Sequence, residues 1–345
     1  MPSAERLKVA VVGVGHLGTF HARILAGRAD VELVAVVDAN PARAAQVAAE
    51  LGCPARTLAG SSPAEVVAAL PEGTRAAVIA VPTIHHATVA VPLLERGIAC
   101  LVEKPLAHDL PSARAILAAA ERGHALLTVG HVERFQPGMR KVRELGIVPR
   151  FVECQRLAPF SFRSTDIGVV HDLMIHDLDL VRYLVGSPVK SVDAAGGAIL
   201  TDHEDMASVR LVFENGARAN VTASRASLQP TRRLRMFSSS AYVSLDMHKN
   251  YGLVVKKGPR WKEGRSALSN LTPEEIAART DLVSSGMLEL LELDLSGHER
   301  PLQAELEHFL GAVRSGARPE VTGEDGLAAL ELAERIAAEI RAQAW

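Results

Sequence analysis

Short apolar runs alternate with Ala-rich stretches of helical character over residues 7–130. The runs are rich in valine, isoleucine and leucine and contain few polar residues, which is typical of strands buried on both faces. The predicted strands cover residues 7–14, 31–38, 76–81, 99–104 and 125–131. Strands of this kind that alternate with helices form a parallel sheet covered by helices on both sides. The pattern therefore predicts an N-terminal α/β domain.

The pattern changes at about residue 150. After one helical stretch, residues 208–225 alternate between apolar and polar positions on either side of an Asn215–Gly216 turn, and similar runs follow at 242–247 and 251–258. Alternating runs joined by an Asn-Gly turn are typical of antiparallel hairpins. The second half of the chain is therefore expected to contain a mostly antiparallel open sheet.

Two amphipathic helices, predicted over residues 302–316 and 323–343, end the sequence. Together with the open sheet they define a C-terminal α+β domain, so the predicted domains cover residues 1–131 and 132–345. Helices would cover one face of the sheet. The other face must also be covered, because a large exposed apolar patch promotes association. We therefore expect a homodimer or homotetramer formed through the C-terminal domain.

The charge balance of the chain excludes some classes of partner. Lys and Arg number 38 against 40 Asp and Glu, which gives a net charge of −2 over 345 residues. Because the net charge is nearly balanced and no long basic block or aromatic-basic interleaving is present, a nucleic-acid partner is not expected. Residues 76–94 lack charged side chains, but Pro82, Pro92 and the His85-His86 pair favour a buried strand, a turn and a helix over a membrane span.

The cysteines and the N-terminus indicate the compartment. Cys53, Cys100 and Cys154 are odd in number and have no CxxC spacing, so neither a zinc site nor a disulfide framework is predicted. The first residues lack the length and the cleavage site of a signal peptide. We therefore expect a cytoplasmic protein with reduced thiols.

A glycine pattern, G-V-G-H-L-G at residues 13–18, lies between the first predicted strand and a helical stretch. Asp38 ends the next strand, twenty residues after Gly18, which is the spacing of an acidic residue that binds the adenosine ribose in dinucleotide-binding folds. A plain glycine turn is the alternative, but the strand, helix and aspartate together favour a cofactor site. The predicted cofactor-binding residues of this segment are Gly13, Gly15, His16, Leu17, Gly18 and Asp38.

Asp38 also indicates which dinucleotide binds. Its carboxylate would repel a 2′-phosphate, so NAD is predicted over NADP. Arg43 lies five residues further along the chain and could reach such a phosphate, which leaves the alternative open.

Two further motifs follow the glycine pattern. Glu103-Lys104-Pro105, the EKP turn, ends the fourth predicted strand, and Asp172, His176 and Asp179 lie in the helix predicted near residues 171–185. In this order the three motifs resemble the glucose-fructose oxidoreductase/inositol dehydrogenase (Gfo/Idh/MocA) family over nearly the whole chain. The resemblance implies an N-terminal Rossmann domain and the NAD-dependent oxidation of a secondary hydroxyl.

The resemblance also implies roles for the EKP turn. Lys104 would reach the reacting hydroxyl, Glu103 would lie near the cofactor, and Pro105 would form the turn. Pro82 and His86 match positions beside the cofactor in the turn after the third predicted strand. His86 in such a turn is more often structural than catalytic. The sequence departs from the family with Val81-Pro82-Thr83 where Thr-Pro-Asn is frequent, and with Met174-Ile175 where a glycine is common.

The helix residues Asp172, His176 and Asp179 fall within about 60° of one another at about 100° per residue. A solvated face and a metal site that includes His171 are the alternatives, although His171 would point about 100° away. Together with the EKP turn, the stripe favours catalysis. His176 is predicted to be the base, Asp172 to orient it or grip a neighbouring hydroxyl, and Lys104 to stabilise the alkoxide; Lys104 and His176 could exchange roles.

The segments at 130–137 and 168–180 resemble the branch of the family that oxidises the 3-hydroxyl of UDP-N-acetylglucosamine. Arg134, Arg156 and Arg163 would suit its diphosphate, because a guanidinium meets phosphate oxygens with two parallel N–H groups. Salt-bridge residues are the equally good alternative for each arginine. Other functions stay open: an inositol or free-sugar dehydrogenase, a sensor that binds NAD and sugar without turnover, and an NAD-dependent glycosidase.

Overall fold

A computed structural model describes residues 5–57, 62–161, 167–262, 283, 286–295 and 300–343. The chain divides into two compact units. The first contains Met1–Phe135 and Glu299–Leu332, and the second contains Gln136–His298 and Ala333–Trp345. The first crossing between the units lies four residues after the predicted boundary at 131. The return of residues 299–332 to the first unit was not predicted, because the whole C-terminal part was assigned to the second domain.

The first unit is built on a parallel sheet, as predicted. Its described strands follow the order β3-β2-β1-β4-β5-β6, and every neighbouring pair is parallel. The strands are β1 Leu7–Val12, β2 Val31–Asp38, β3 Ala55–Thr57, β4 Ala76–Ile79, β5 Ala99–Glu103 and β6 Leu127–Gly130. Strand β3 was not predicted, because its three residues contain no large apolar side chain.

Helices connect these strands: α1 His16–Ala26, α2 Pro41–Leu51, α3 Pro63–Ala68, α4 His86–Leu94 and α5 Leu110–Arg122. Polar side chains fix several helix starts. The Asn40 side chain accepts hydrogen bonds from the N–H groups of Ala42 and Arg43, and Asp109 accepts one from Ser112. These bonds satisfy N–H groups that have no partner within the helix. The apolar residues of the sheet belong to two core clusters, in keeping with strands that are buried on both faces.

The second unit contains a mostly antiparallel sheet, as predicted. Among the described strands the order is β14-β13-β12-β11-β7-β10-β9-β8, and only β7 and β10 pair in parallel. The strands are β7 Phe151–Leu157, β8 Val189–Gly197, β9 Met206–Phe213, β10 Arg218–Ser224, β11 Thr231–Phe237, β12 Ala241–Asp246, β13 Tyr251–Lys257 and β14 Leu288–Leu293. Helices α6 Pro137–Glu144 and α7 Ile175–Val185 belong to the same unit. The predicted hairpin is β9–β10, and Gly216 turns it with a φ of +82°.

Two helices follow the sheet, α8 Pro301–Ser315 and α9 Gly323–Ala342, and both agree with the predicted helices to within one residue. The apolar face of α8 explains why the chain returns to the first unit. Leu306, Phe309 and Leu310 are buried in a core cluster with strand residues such as Val9 and Val36. The first unit therefore completes its core with residues that come almost three hundred positions later in the sequence.

No helix in the described ranges is both long enough and apolar enough to cross a bilayer. The uncharged window at 76–94 forms β4, a 3₁₀ turn at Thr83–His85 and α4, as the sequence predicts.

Candidate active site

The glycine turn follows β1 at the point where β1 and β4 are neighbours. Gly13 has a φ of +87°, and a Cβ atom there would lie 2.6 Å from the Ala80 carbonyl carbon and oxygen. A Cβ on Gly18 would overlap the Gly13 carbonyl group. Gly15 has open space around its Cβ position and caps the start of α1. Only glycine fits at Gly13 and Gly18, and Gly15 leaves room for a ligand backbone to approach.

The first turn of α1 faces solvent at the same place. His16 and Leu17 are exposed, and no side chain caps the helix start. The Thr19 hydroxyl donates within the turn to the carbonyl oxygens of Val14 and Gly15, at 3.0 and 2.6 Å. The N–H groups at a helix start carry partial positive charge and are a ready site for a phosphate. The segment therefore fits a dinucleotide pyrophosphate.

Asp38 lies at the end of β2, beside the glycine turn. Its carboxylate accepts hydrogen bonds from the N–H groups of Val14 and Asn40, at 2.8 and 2.9 Å. Two ionised carboxylate oxygens offer about four acceptor sites, so the half-buried side chain retains capacity for two ribose hydroxyls.

Arg43 is engaged by the protein. Its Nε atom donates to the Val14 carbonyl at 2.8 Å, Nη2 donates to the Thr19 hydroxyl at 2.7 Å, and Nη1 donates to Gln46 at 3.0 Å. Two of the three guanidinium nitrogens support the glycine turn, and the third bonds within α2. The geometry therefore gives no support to the alternative in which Arg43 receives a 2′-phosphate.

The EKP turn begins at the end of β5, and its Lys104–Pro105 peptide bond is cis. His86, which is 1% exposed, holds this turn. Its Nδ1 lies 3.0 Å from the Pro105 carbonyl oxygen, and its Nε2 lies 3.0 Å from that of Val81. Burial lowers the pKa of His86 below its ordinary value. The geometry favours the structural role: His86 ties the turn after β4, which contains Pro82, to the EKP turn.

Two residues that were not among the predicted site residues lie beside Glu103. His21 from α1 places Nε2 2.6 Å from a Glu103 oxygen, and Glu305 from α8 is buried in the same cluster. The residues are separated by 82 positions or more along the chain, and local patterns carry no signal for such a contact.

In the second unit, the helix that carries the predicted stripe starts with a π turn at Val170–Met174, in which the Ile175 N–H bonds to the carbonyl of Val170. The regular spacing of about 100° per residue that was assumed for the predicted stripe is therefore wrong across this turn, because a π turn inserts one extra residue. Helix α7 ends at Gly186 with a φ of +61°, as predicted.

The three stripe residues are not on a solvated face. Asp179 is 0% exposed, and Asp172 and His176 are half-buried. Next to them, His171 pairs with Glu334 at 2.9 Å. Among the described residues, the group of three or more possible metal ligands that lie close together is His21, Glu103 and Glu305, and the helix residues belong to no such group. The geometry thus favours neither the solvated face nor the metal site for the stripe.

Two of the three arginines predicted to bind the substrate are buried and engaged. Arg156 forms two parallel hydrogen bonds of 2.9 Å with Asp177, and Arg134 donates to the Glu320 carbonyl at 2.9 Å and to Asp325 at 3.2 Å. Both are at most 5% exposed. The geometry favours the salt-bridge alternative for these two, and Arg163 lies outside the described residues.

The candidate residues therefore come from both units. Lys104 and the glycine turn belong to the first unit, and Asp172 and His176 belong to the second. The glycine turn with Asp38 is assembled within one unit. The assignment of Lys104, Asp172 and His176 to one catalytic centre stays a prediction.

Comparison with known proteins identifies the class of this protein. A model described as "Oxidoreductase family, NAD-binding Rossmann fold" matches residues 7–131, and one described as the "GFO/IDH/MocA C-terminal domain" matches residues 149–244. The chain belongs to the Gfo/Idh/MocA family, and its first unit carries an NAD-binding domain of oxidoreductase type.

Two relatives are similar over long stretches. A UDP-N-acetylglucosamine 3-dehydrogenase from Acidithiobacillus ferrooxidans is 41% identical over 253 residues, which are 73% of this chain and 78% of the relative. A solved structure of that enzyme superimposes with a TM-score of 0.83 at 34% identity, over 98% of this chain and 99% of the other. An inositol 2-dehydrogenase from Rhizobium meliloti is 28% identical over 343 residues, 95% of each chain.

Proposed function

We propose that the protein oxidises the 3-hydroxyl of UDP-N-acetylglucosamine to the 3-keto sugar with NAD as the oxidant. The observation that carries the proposal is its similarity to a dehydrogenase of that specificity, at 41% identity over 73% of the chain. Oxidation of inositol or a free sugar is the second candidate, supported by a relative that is 28% identical over 95% of the chain.

The first unit fits NAD. The start of α1 would hold the pyrophosphate, because Gly15 leaves open space there, and Asp38 would accept hydrogen bonds from the adenosine ribose hydroxyls. When bound, NAD accepts the hydride that leaves the carbinol carbon of the sugar. The Asp38 carboxylate would repel a 2′-phosphate, and the Arg43 guanidinium is engaged by Val14 and Thr19, which favours NAD over NADP.

The chain's own residues accept the proton that the reacting hydroxyl loses. His176 takes it from the reacting hydroxyl, because an imidazole accepts a proton near neutral pH. Asp172, one turn earlier, orients the imidazole or grips an adjacent hydroxyl. The Lys104 ammonium stabilises the negative charge that develops on oxygen. In the alternative arrangement, Lys104 accepts the proton and His176 stabilises the oxygen.

A panel of substrates tests this proposal. Purified protein is mixed with NAD and UDP-N-acetylglucosamine, and NADH absorbance is followed with an aminotransferase and glutamate present to remove the ketone. We expect NADH with the nucleotide sugar. If NADH forms only with myo-inositol or a free hexose, the second candidate function replaces the first. Without NADH for any substrate, chromatography of the products separates a redox-neutral glycosidase, which cleaves its substrate, from a sensor, which leaves it intact.

The cofactor preference gives a quantitative prediction. Asp38→Asn keeps one of the two acceptor oxygens but removes the negative charge, so we expect the ratio of kcat/KM for NAD over NADP to fall about tenfold or more. Steady-state kinetics with both cofactors measures this ratio. Glu32→Gln in the same strand is the matched control and should leave it unchanged. An unchanged ratio in Asp38→Asn would contradict the role of the carboxylate.

We also propose that the protein forms a homodimer or homotetramer through the sheet of the second unit. An apolar row crosses five strands of this sheet at paired positions: Phe151, Phe237, Tyr242, Val255 and Leu290. Phe237 and Leu290 are 40% and 48% exposed. A continuous apolar row at the surface of an open sheet suits a second copy of the chain.

A charge within this row should disrupt the assembly. For Phe237→Asp and Leu290→Asp we expect a smaller particle by size-exclusion chromatography with light scattering, since a buried unpaired carboxylate opposes association. Leu228→Asp is the control, because Leu228 is 96% exposed and lies outside the row. A wild-type monomer at micromolar concentration would refute the proposal.

The thiols are consistent with a cytoplasmic location, which we propose on this basis. Cys53, Cys100 and Cys154 are free, and burial raises the pKa of all three. Thiols of this kind are retained most easily in a reducing compartment.

A further inference from the structure

Three ionisable side chains form a buried cluster behind the EKP turn. His21 of α1, Glu103 at the end of β5 and Glu305 of α8 each place one polar atom within 4.8 Å of the other two. They are 0%, 7% and 2% exposed, and all belong to the first unit. The cluster is therefore shielded from bulk water. Charges that share a small volume in such an interior interact strongly.

One carboxylate oxygen of Glu103 is hydrogen-bonded, and the other is closely packed. Oε1 lies 2.6 Å from the Nε2 atom of His21, the distance of a short, charge-assisted hydrogen bond. Oε2 lies against Gly130 of β6, where an added Cβ would be only 2.8 Å away. The carboxylate thus fits because β6 has a glycine at this position, and it has little freedom to move.

Glu305 differs from Glu103 in its hydrogen bonding. Neither of its carboxyl oxygens has a hydrogen-bond partner among the described residues, and both are fully buried. An ionised carboxylate in such a place would lose its hydration without compensation and would repel Glu103. Burial, and secondly the charge of Glu103, raise the pKa of Glu305 well above its ordinary value.

We propose that Glu305 is a positioning residue, held as a neutral acid, whose O–H group supports the Glu103 carboxylate that His21 also binds. Through Glu103 the pair fixes the EKP turn and the start of the Lys104 side chain. The catalytic consequence rests on the proposed function, in which Lys104 acts on the reacting hydroxyl, whereas the protonation state of Glu305 does not.

The charged groups around Glu305 come from several elements. His21 faces it from α1 and Glu103 from β5. The 3₁₀ turn Val132–Phe135 packs on α8 and carries the buried residues Glu133 and Arg134. Arg134 is engaged by the Glu320 carbonyl and Asp325. The charge that raises the pKa of Glu305 is that of Glu103.

A metal ion is the competing occupant of the cluster. Two ligand atoms at about 2.0–2.2 Å from one zinc ion are roughly 3 Å or more apart, because the bonds diverge at tetrahedral or wider angles. The 2.6 Å separation of the His21 and Glu103 atoms is shorter and has the length of a hydrogen bond. The geometry therefore favours a shared proton.

The pH dependence of unfolding tests the neutral acid. Above about pH 4.3 an unfolded glutamate is ionised, whereas Glu305 keeps its proton in the folded protein, so the unfolded state binds one proton fewer. The stability that the raised pKa contributes is present at low pH and is lost as the pH rises toward the folded pKa. In Glu305→Gln this loss is absent. The unfolding constant of wild type relative to Glu305→Gln should therefore increase about tenfold per pH unit from about pH 5 up to the folded pKa of Glu305.

Urea titrations of the full chain between pH 5 and pH 8 provide these constants. Glu307→Gln, on the exposed side of the same helix, is the matched control and should give a ratio independent of pH. A pH-independent ratio for Glu305→Gln would mean that Glu305 is ionised when folded, and would overturn the proposal. So would one equivalent of metal in purified wild type that is lost from Glu305→Gln.

Infrared spectroscopy of wild type covers the case in which Glu305→Gln does not fold. With carbon-13 glutamate, the carbonyl stretch of a protonated acid should be visible at about pH 6, where an unfolded glutamate is ionised, and its absence would overturn the proposal. In the enzyme assay, Glu305→Gln should retain kcat, while Glu305→Leu should lower kcat about 10- to 100-fold with an unchanged KM for NAD, because the EKP turn is no longer fixed. Equal kcat in both variants would refute positioning. A wild type that oxidises no tested substrate would refute the proposed function alone, because the unfolding ratio needs no turnover.

Discussion

Replacing His176 with asparagine is expected to lower kcat about 10²- to 10⁴-fold, while the KM for NAD stays within about twofold. The reason is that asparagine preserves shape and hydrogen bonding but cannot accept a proton. His171→Asn provides a matched control, because His171 is in the same helix segment and pairs with Glu334. A large loss in His176→Asn together with normal kcat in His171→Asn would support the base assignment, and equal losses would contradict it.

The pH profile separates the two possible bases. If His176 accepts the proton, kcat/KM of wild type falls at low pH as the imidazole becomes protonated, and the residual activity of His176→Asn lacks this fall. If Lys104 accepts the proton, the fall persists in His176→Asn and disappears in Lys104→Met. Both profiles are measured with the substrate that the panel identifies.

Structural elements were predicted most accurately where neighbouring residues alone determine the pattern. Strands β1, β2, β4, β5 and β6 were found because a parallel sheet buried on both faces needs continuous apolar runs. The glycine turn was found because backbone conformation and close approach both require glycine at Gly13 and Gly18. Strand β3 was missed because three residues hardly register as a pattern, and the π turn at Val170–Met174 was missed because helical spacing assumes a regular helix.

Side-chain roles were harder to predict, because they depend on residues far away in sequence. The chemistry of an arginine suits a diphosphate and a buried carboxylate equally well. Arg156 has its carboxylate 21 residues away and Arg134 has one 191 residues away, so their partners became known only from the fold. For the same reason the cluster of Glu103 with Glu305 was invisible in the sequence. Residue type thus indicated the possible chemistry, and only the fold distinguished a ligand contact from an internal pair.

The pair formed by Arg156 and Asp177 gives the largest expected effect on stability. Their side chains are 6% and 4% exposed, and two hydrogen bonds of 2.9 Å join them. Arg156→Met should lower the free energy of unfolding by about 3–5 kcal/mol, because Asp177 would then be buried without its main counter-charge. Urea unfolding at pH 7 measures this change, and Asp177→Leu should give a similar loss.

The double variant Arg156→Met with Asp177→Leu provides the decisive comparison. Because it removes both charges, it should regain most of the stability lost in either single variant, as apolar replacements of buried ion pairs do. Arg235→Met is the control, since Arg235 pairs with Glu153 at a half-exposed position of the same sheet and should cost at most about 1 kcal/mol. If Arg156 binds the substrate diphosphate instead, Arg156→Met would raise the KM for the nucleotide sugar with little change in unfolding. Losses that simply add in the double variant would show that the two side chains act independently, contrary to the bidentate geometry.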